Sequence, residues 1–246
     1  MRWLRRPTPP EPGHLTLSRA DGPLKVDLRR RSASRRMTLR VSSTTGEVSL
    51  TLPARTDLAS AKTFIDAHAG WITARLARVP ERVRFEPGAV VPLRGEPHRL
   101  VHGGSSRAAT RASRDAGGEA VISVSGDVAS IPGRVRRFLQ AEAKADLDLA
   151  VVRYTGMIGI DARKVTPRDT RSRWGSCSST GALSFSWRLI LAPPEVLDYL
   201  AAHEVAHLRE LNHSHRFWSL LRGMCPGTDA AEIWLKRHGN GLHRYG

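Results

Sequence analysis

Four of the ten histidines in this chain fall within thirteen positions: His203, His207, His213 and His215. Residues 203–207 read His-Glu-Val-Ala-His, and on a helix an i, i+4 pair sends two imidazoles from one face toward a single point. Neutral imidazoles in a tetrahedral set suit zinc, while spacing alone leaves iron, cobalt and nickel open. Glu204 travels with His203 but is too close to be expected as a ligand. Its expected task is to take the proton of a metal-activated water and later deliver it to a leaving amine. A His-Glu-x-x-His arises by accident in a chain of this composition roughly once in fifty, and a further histidine six residues on lowers that to roughly one in a thousand.

His213 is the expected third ligand and His215 its competitor. At about 100° per residue, an unbroken helix would carry His213 some 120° off the metal face. The chain must therefore turn after His207, and Asn212 in the left-handed conformation is the expected C-cap. Three imidazoles leave the fourth position of a zinc ion open, as hydrolytic chemistry requires.

These residues need a scaffold, and the chain is long enough to supply one. It has 246 residues, 40% apolar, 6% aromatic and 25% charged, which fits one large or two modest globular domains and excludes a disordered or fibrous chain. Short alternating runs up to Pro53 read as strands, with Asp57 as N-cap of one amphipathic helix over 57–78. Strand patterns return between Val83 and Val124, interrupted at 103–118 by a small, polar stretch that reads as a mobile loop. A long helix is expected over 134–155, then a hairpin from 164–168 and 182–187, then the helix opened by Pro193-Pro194 that carries His203 through about Glu210. Two further helices are expected over 215–222 and 229–245. The expected fold class is α+β, divided into a basic, proline-rich N-terminus (1–13), a β-rich region (14–131) and a catalytic domain (132–246). No internal repeat is evident.

Only Cys177 and Cys225 are present, too few for a disulfide framework, so a reducing cytoplasm is expected. Residues 1–13 carry arginines followed by prolines instead of an apolar core, and read as no secretory signal. No window approaches the roughly 18 apolar residues of a membrane span.

The segments SASRRMTLRV (32–41), WGSCSSTGALSFSWRLILAPPEVLDYLAAHEVAHL (174–208) and NHSHRFW (212–218) resemble the YgjP-like zinc metallopeptidases of the compact minigluzincin kind, and more distantly the SprT-like proteases. That resemblance implies a zinc helix beside a small sheet, preceded by a β-rich part. It implies His203, His207 and His213 as ligands of one zinc ion, Glu204 as base, and a peptide or protein substrate. The metzincin pattern has the same spacing but requires glycine where this chain has Glu210, which counts against a metzincin proper.

Arg173, Trp174, Gly175 and Ser176 precede the zinc helix and are candidates for substrate binding, because a strand edge beside a metal can pair with an extended peptide. The competing reading makes Trp174 core and Gly175 a bulge. Arg173, Arg188 and Tyr199 are candidates for oxyanion stabilisation, Asp198 and Glu232 for orienting a ligand imidazole, and Cys177 is expected to be a small buried hydrophobe. Lys+Arg exceed Asp+Glu by 39 to 23, a net charge of +16, and half of that excess lies in residues 1–40. The run RRRSASRR, Arg29–Arg36, is a candidate for nucleic-acid contact, though no aromatics are interleaved for base stacking. Two alternatives to a plain peptidase follow: a SprT-like protease recruited to nucleic acid by its basic N-terminal region, or a zinc-binding protein without turnover.

Overall fold

A computed structural model describes residues 13–18, 22–79, 81–104, 108–170 and 172–246; the expected N-terminal segment 1–13 lies, apart from Gly13, outside the described residues. The chain packs as two compact units, one within residues 1–80 and the other Glu81–Gly246.

The first unit builds a four-stranded sheet from β1 (His14–Leu17), β2 (Leu24–Arg31), β3 (Thr38–Val41) and β4 (Val48–Pro53), in the order β1-β2-β4-β3. Strict alternation in β4 buries Val48, Leu50 and Leu52, as a sheet with one covered face demands. The covering residues are Ala61, Ile65 and Ile72, from α1 (Leu58–Ala67) and α2 (Ala69–Leu76). Asp57 caps α1 by accepting from the Ser60 amide at 2.7 Å, as expected. The single helix expected over 57–78 is broken at His68. Its imidazole Nδ1 lies 2.8 Å from the Phe64 carbonyl, the acceptor a continuous helix would offer the His68 amide, which bonds Ile65 instead at 3.0 Å. The basic run Arg29–Arg36 occupies the end of β2 and the turn toward β3. Arg30 donates to the carbonyls of Pro53 and Ala54 at 3.3 and 3.1 Å.

The second unit opens with a sheet of the same topology. Strands β5 (Val90–Leu93), β6 (Glu96–His102), β7 (Arg111–Arg114) and β8 (Ala120–Val124) pair in the order β5-β6-β8-β7. In both sheets the central pair is parallel and the outer pairs antiparallel. The two halves thus repeat a design that the sequence does not display. Residues 111–114 fall inside the stretch expected as a mobile loop; they form β7 because their backbone pairs antiparallel with β8, although every β7 side chain is exposed. That exposure explains the polar composition.

Helix α3 (Ile131–Ile158) is the spine of this unit. Ile131, Val135, Leu139, Ala143, Leu147 and Val151 recur every four residues and are buried, the stripe a core-facing helix needs. Val91, Leu100 and Ile122 of the sheet share one core with them and with Trp187, Leu191 and Val205. The boundary expected near 131/132 would cut through that core, and this is why residues 81–131 pack with the C-terminal part. Beyond α3, β9 (Lys164–Arg168), β10 (Gly175–Cys177) and β11 (Ala182–Ser186) form a third sheet in the order β10-β11-β9. The expected hairpin partners β9 and β11 pair in parallel instead, and the hairpin is made by β10 with β11. Helices α4 (Pro194–Ala206), α5 (His215–Met224) and α6 (Thr228–Leu242) complete the unit. No described helix is long and apolar enough to cross a membrane.

Leu147 is fully buried whereas Leu149, two residues on, is 74% exposed. Leu147→Ala is expected to cost about 2–5 kcal/mol and Leu149→Ala to stay within about 0.5 kcal/mol, read from urea unfolding midpoints.

Candidate metal centre

His203 and Glu204 stand in the last turn of α4, and His207 caps it. The helix stops here, earlier than expected: the amides of Leu208 and Arg209 turn back to Val205 and Ala206 at 2.9 and 3.1 Å. Asn212 is not left-handed; among the described residues Arg94 is the one non-glycine with positive φ. The chain returns by other means. Arg209 donates to the Ile158 carbonyl at 2.6 Å, tying the turn to the C-terminal end of α3. Ser214 then starts α5 as N-cap, accepting from the Phe217 amide at 3.4 Å. His213 is therefore outside α5, on the incoming turn, while His215 is its first residue.

The structure brings His203, His207 and His213 together, with one ligand atom from each within 4.8 Å of the others. His215 is exposed and not among them. The Phe217 ring lies against all three imidazoles, at centroid distances of 5.0, 4.6 and 4.7 Å. Phe217 is not among the candidates read from the sequence; it reaches the histidines because Ser214 caps α5 one residue after His213, which puts Phe217 in the first turn beside that return.

Burial pushes the His203 imidazole down to about 4, with the neighbouring His207 and His213 adding to the effect. His207 is also lowered, by burial first, against the Glu210 carbonyl, which acts in the opposite direction. Both rings are neutral at physiological pH. The Nδ1–H of His207 donates to the Glu210 carbonyl at 3.0 Å, so its Nε2 keeps a lone pair, the arrangement that orients a metal-binding histidine. The Nε2 atoms of His203 and His213 face each other at 3.1 Å. Two imidazole lone pairs at that distance need a proton or a cation between them. Ligand bonds of about 2.0–2.1 Å on a tetrahedral zinc put two nitrogens about 3.3 Å apart. The donor set fits zinc.

Glu204 is 5% exposed. Burial raises its pKa to about 7, against the positive charge of Arg173 and the backbone N–H of Cys177, which both favour the carboxylate. Its neighbour explains the glycine in β10: a Cβ built on Gly175 would stand 2.4 Å from Glu204 Oε1 and 2.7 Å from its Cγ. Trp174 packs on α6 instead, its ring 4.8 Å from that of His243, while its carbonyl accepts from Ser186 at 2.8 Å. Ser176 is half-buried on the same strand, and Arg173 is exposed just before it; Arg171, from the same run, lies outside the described residues. Cys177 is half-buried, its thiol pushed up by burial and by Glu204, as a non-nucleophilic cysteine should be.

Other expected partners point elsewhere. Arg188 is 4% exposed and engaged with Asp169 and the Trp187 ring. Asp198 accepts from Tyr154 and Arg153 on α3 and holds no ligand imidazole. Glu232 pairs with Lys236 at 2.7 Å. Tyr199 is buried, its ring edge-on to His203 at 5.8 Å, with burial and then Glu232 and Glu204 raising its pKa to about 12.

A Gly175→Ala substitution is expected to cost about 1–3 kcal/mol of stability, read as a lowered melting temperature. Gly156 is exposed in α3, and a Cβ added there would meet nothing within 4 Å. It serves as the opposite control: Gly156→Ala is expected to raise stability by about 0.4–1 kcal/mol. No curated protein and no solved structure gives a significant match to this chain. The family model described as YgjP-like, metallopeptidase domain, matches residues 35–238. With most of its length matched, and with His203, His207 and His213 gathered as described, the chain belongs to the YgjP-like metallopeptidase family.

Proposed function

We propose that this chain is a zinc-dependent peptidase in which His203, His207 and His213 hold one metal ion and Glu204 is the general base. The observation that carries this reading is the convergence of three imidazoles, two of them with pKa values lowered by burial, at the end of the helix that also carries the buried Glu204. Zinc, when bound, supplies Lewis acidity, polarising a carbonyl and acidifying a water. The chain's own residues do the rest. Glu204, with a pKa near 7, takes a proton as the carboxylate and gives it up as the acid near neutral pH, so one group serves water and leaving amine in turn. The Cys177 amide and the bare Gly175 backbone hold that carboxylate in place.

Strand β10 is at the edge of its sheet, since the order is β10-β11-β9. Its side away from β11, apart from the Cys177 amide that holds Glu204, supports the reading that an extended peptide adds as a further strand along Gly175 and Ser176, with Arg173 near its start. Trp174, packed on α6, then supports the strand instead of touching substrate. Free Cys177 and Cys225 support a cytoplasmic setting.

Metal analysis and peptide-library profiling of wild type and Glu204→Gln test the mechanism. The expected outcome is equal stoichiometric zinc in both and turnover lowered by about 10²–10⁴-fold in the variant; equal zinc with no cleavage by wild type defeats it. His213→Ala is expected to weaken zinc binding by more than the 10–100-fold typical of losing an outer hydrogen-bond partner, whereas His215→Ala leaves zinc affinity unchanged in the same competition titration with a chelator.

A further inference from the structure

A second cavity lies in the unit Glu81–Gly246 and shares no residue with the metal centre. Its volume is about 820 Å³, within the range of small-molecule sites. The segment after Pro80, the first turns of α3 and the last residues of the chain form its walls. Four arginines line it, Arg82, Arg84, Arg136 and Arg244, against two acids, Glu81 and Glu86. No ion pair joins any of these six residues to another among the described residues.

Arg244 stands over the Tyr245 ring at 5.6 Å, and none of the four guanidinium groups pairs with a carboxylate side chain among the described residues. Arg82 donates to the Gly246 carbonyl at 2.8 Å, but Arg136 and Arg244 each bury an Nε–H that has no acceptor. Burying part of a guanidinium with no partner is unfavourable unless something accepts from it. The N-terminal turn of α3 stands at the same wall: it carries no acidic residue, its Ser130 hydroxyl donates to the Asp127 carbonyl at 2.6 Å instead of capping an amide, and its Pro132 lines the cavity. The positive end of a 28-residue helix thus lies at this wall, with no carboxylate in its own first turn. Phe85 and Pro132 supply apolar surface beside the arginines.

We propose that this cavity binds a small organic phosphate, with the phosphoryl oxygens taken by Arg84, Arg136 and Arg244 and the organic part seated against Phe85 and Pro132. Guanidinium forks match phosphate oxygens in pairs, and several forks around one cavity exceed what a single carboxylate can accept. The volume leaves room for more than the inorganic ion. This inference rests on neither the metal nor the peptidase reading.

Calorimetric titration of the 246-residue chain at fixed ionic strength tests it, with phenyl phosphate, inorganic phosphate and benzoate as probes. The expected result is saturable binding of phenyl phosphate, tighter than inorganic phosphate and at least about tenfold tighter than benzoate. Arg136→Met is expected to weaken phenyl phosphate by about tenfold or more, and Arg137→Met, at the exposed neighbouring position, to leave it unchanged. Should Arg136→Met fail to fold, Arg84→Ala carries the comparison, because Arg84 is exposed and its loss leaves the core intact. Absence of saturable binding, benzoate or inorganic phosphate binding as tightly as phenyl phosphate, or equal affinity in the wild-type, Arg84 and Arg136 proteins overturns the proposal.

Discussion

The carboxylate of Glu204 lies against the backbone of Gly175, and much of the second unit is arranged to keep that contact. A buried carboxylate is costly unless its environment compensates, and here the compensation comes from one strand: the Cys177 amide donates, and the missing Cβ of Gly175 gives the room. Strand β10 reaches this position only through its pairing with β11. That strand in turn lies beside β9, which follows the end of α3. Displacing any of these would move the carboxylate relative to the imidazoles.

Helix α3 makes the arrangement stiff. Its buried stripe meets the sheet on one side and the segment from Trp187 through α4 on the other, within one core. The same helix receives Asp198 from α4 through Tyr154 and Arg153, and its end receives Arg209 from the turn after His207. Helix α4 is therefore anchored to α3 near its start and just beyond its end. Residues expected to serve the chemistry, Asp198 and Arg188, are used for this anchoring and for core electrostatics.

The three histidines face a different constraint. Charged imidazoles this close repel one another, and burial disfavours them further, so His203 and His207 are held neutral. The Nε2 atoms of His203 and His213, 3.1 Å apart, can share either a proton or a cation. Phe217 contacts all three rings and so limits how far they can spread.

Local patterns carried the parts of this protein that depend on local physics. Helical periodicity marked α3 and α4, because a 3.6-residue repeat is written in neighbouring residues; the Pro193-Pro194 start and the His203, Glu204, His207 spacing are of that kind. What depended on distant partners was not legible. The parallel pairing of β9 with β11, the strand made by the polar residues 111–114, and the division between the units each follow from backbone hydrogen bonds or packing between segments far apart in sequence. The choice between His213 and His215 lies between these cases. The helix over 215–222 was legible in its pattern, but the Ser214 cap that starts it, the Arg209 tether to α3 and the packing of Phe217 are tertiary facts that bring the preceding turn back toward α4. Sequence alone determined which chemical groups were available; tertiary structure decided which of them meet, because a chain's return path is set by what it packs against.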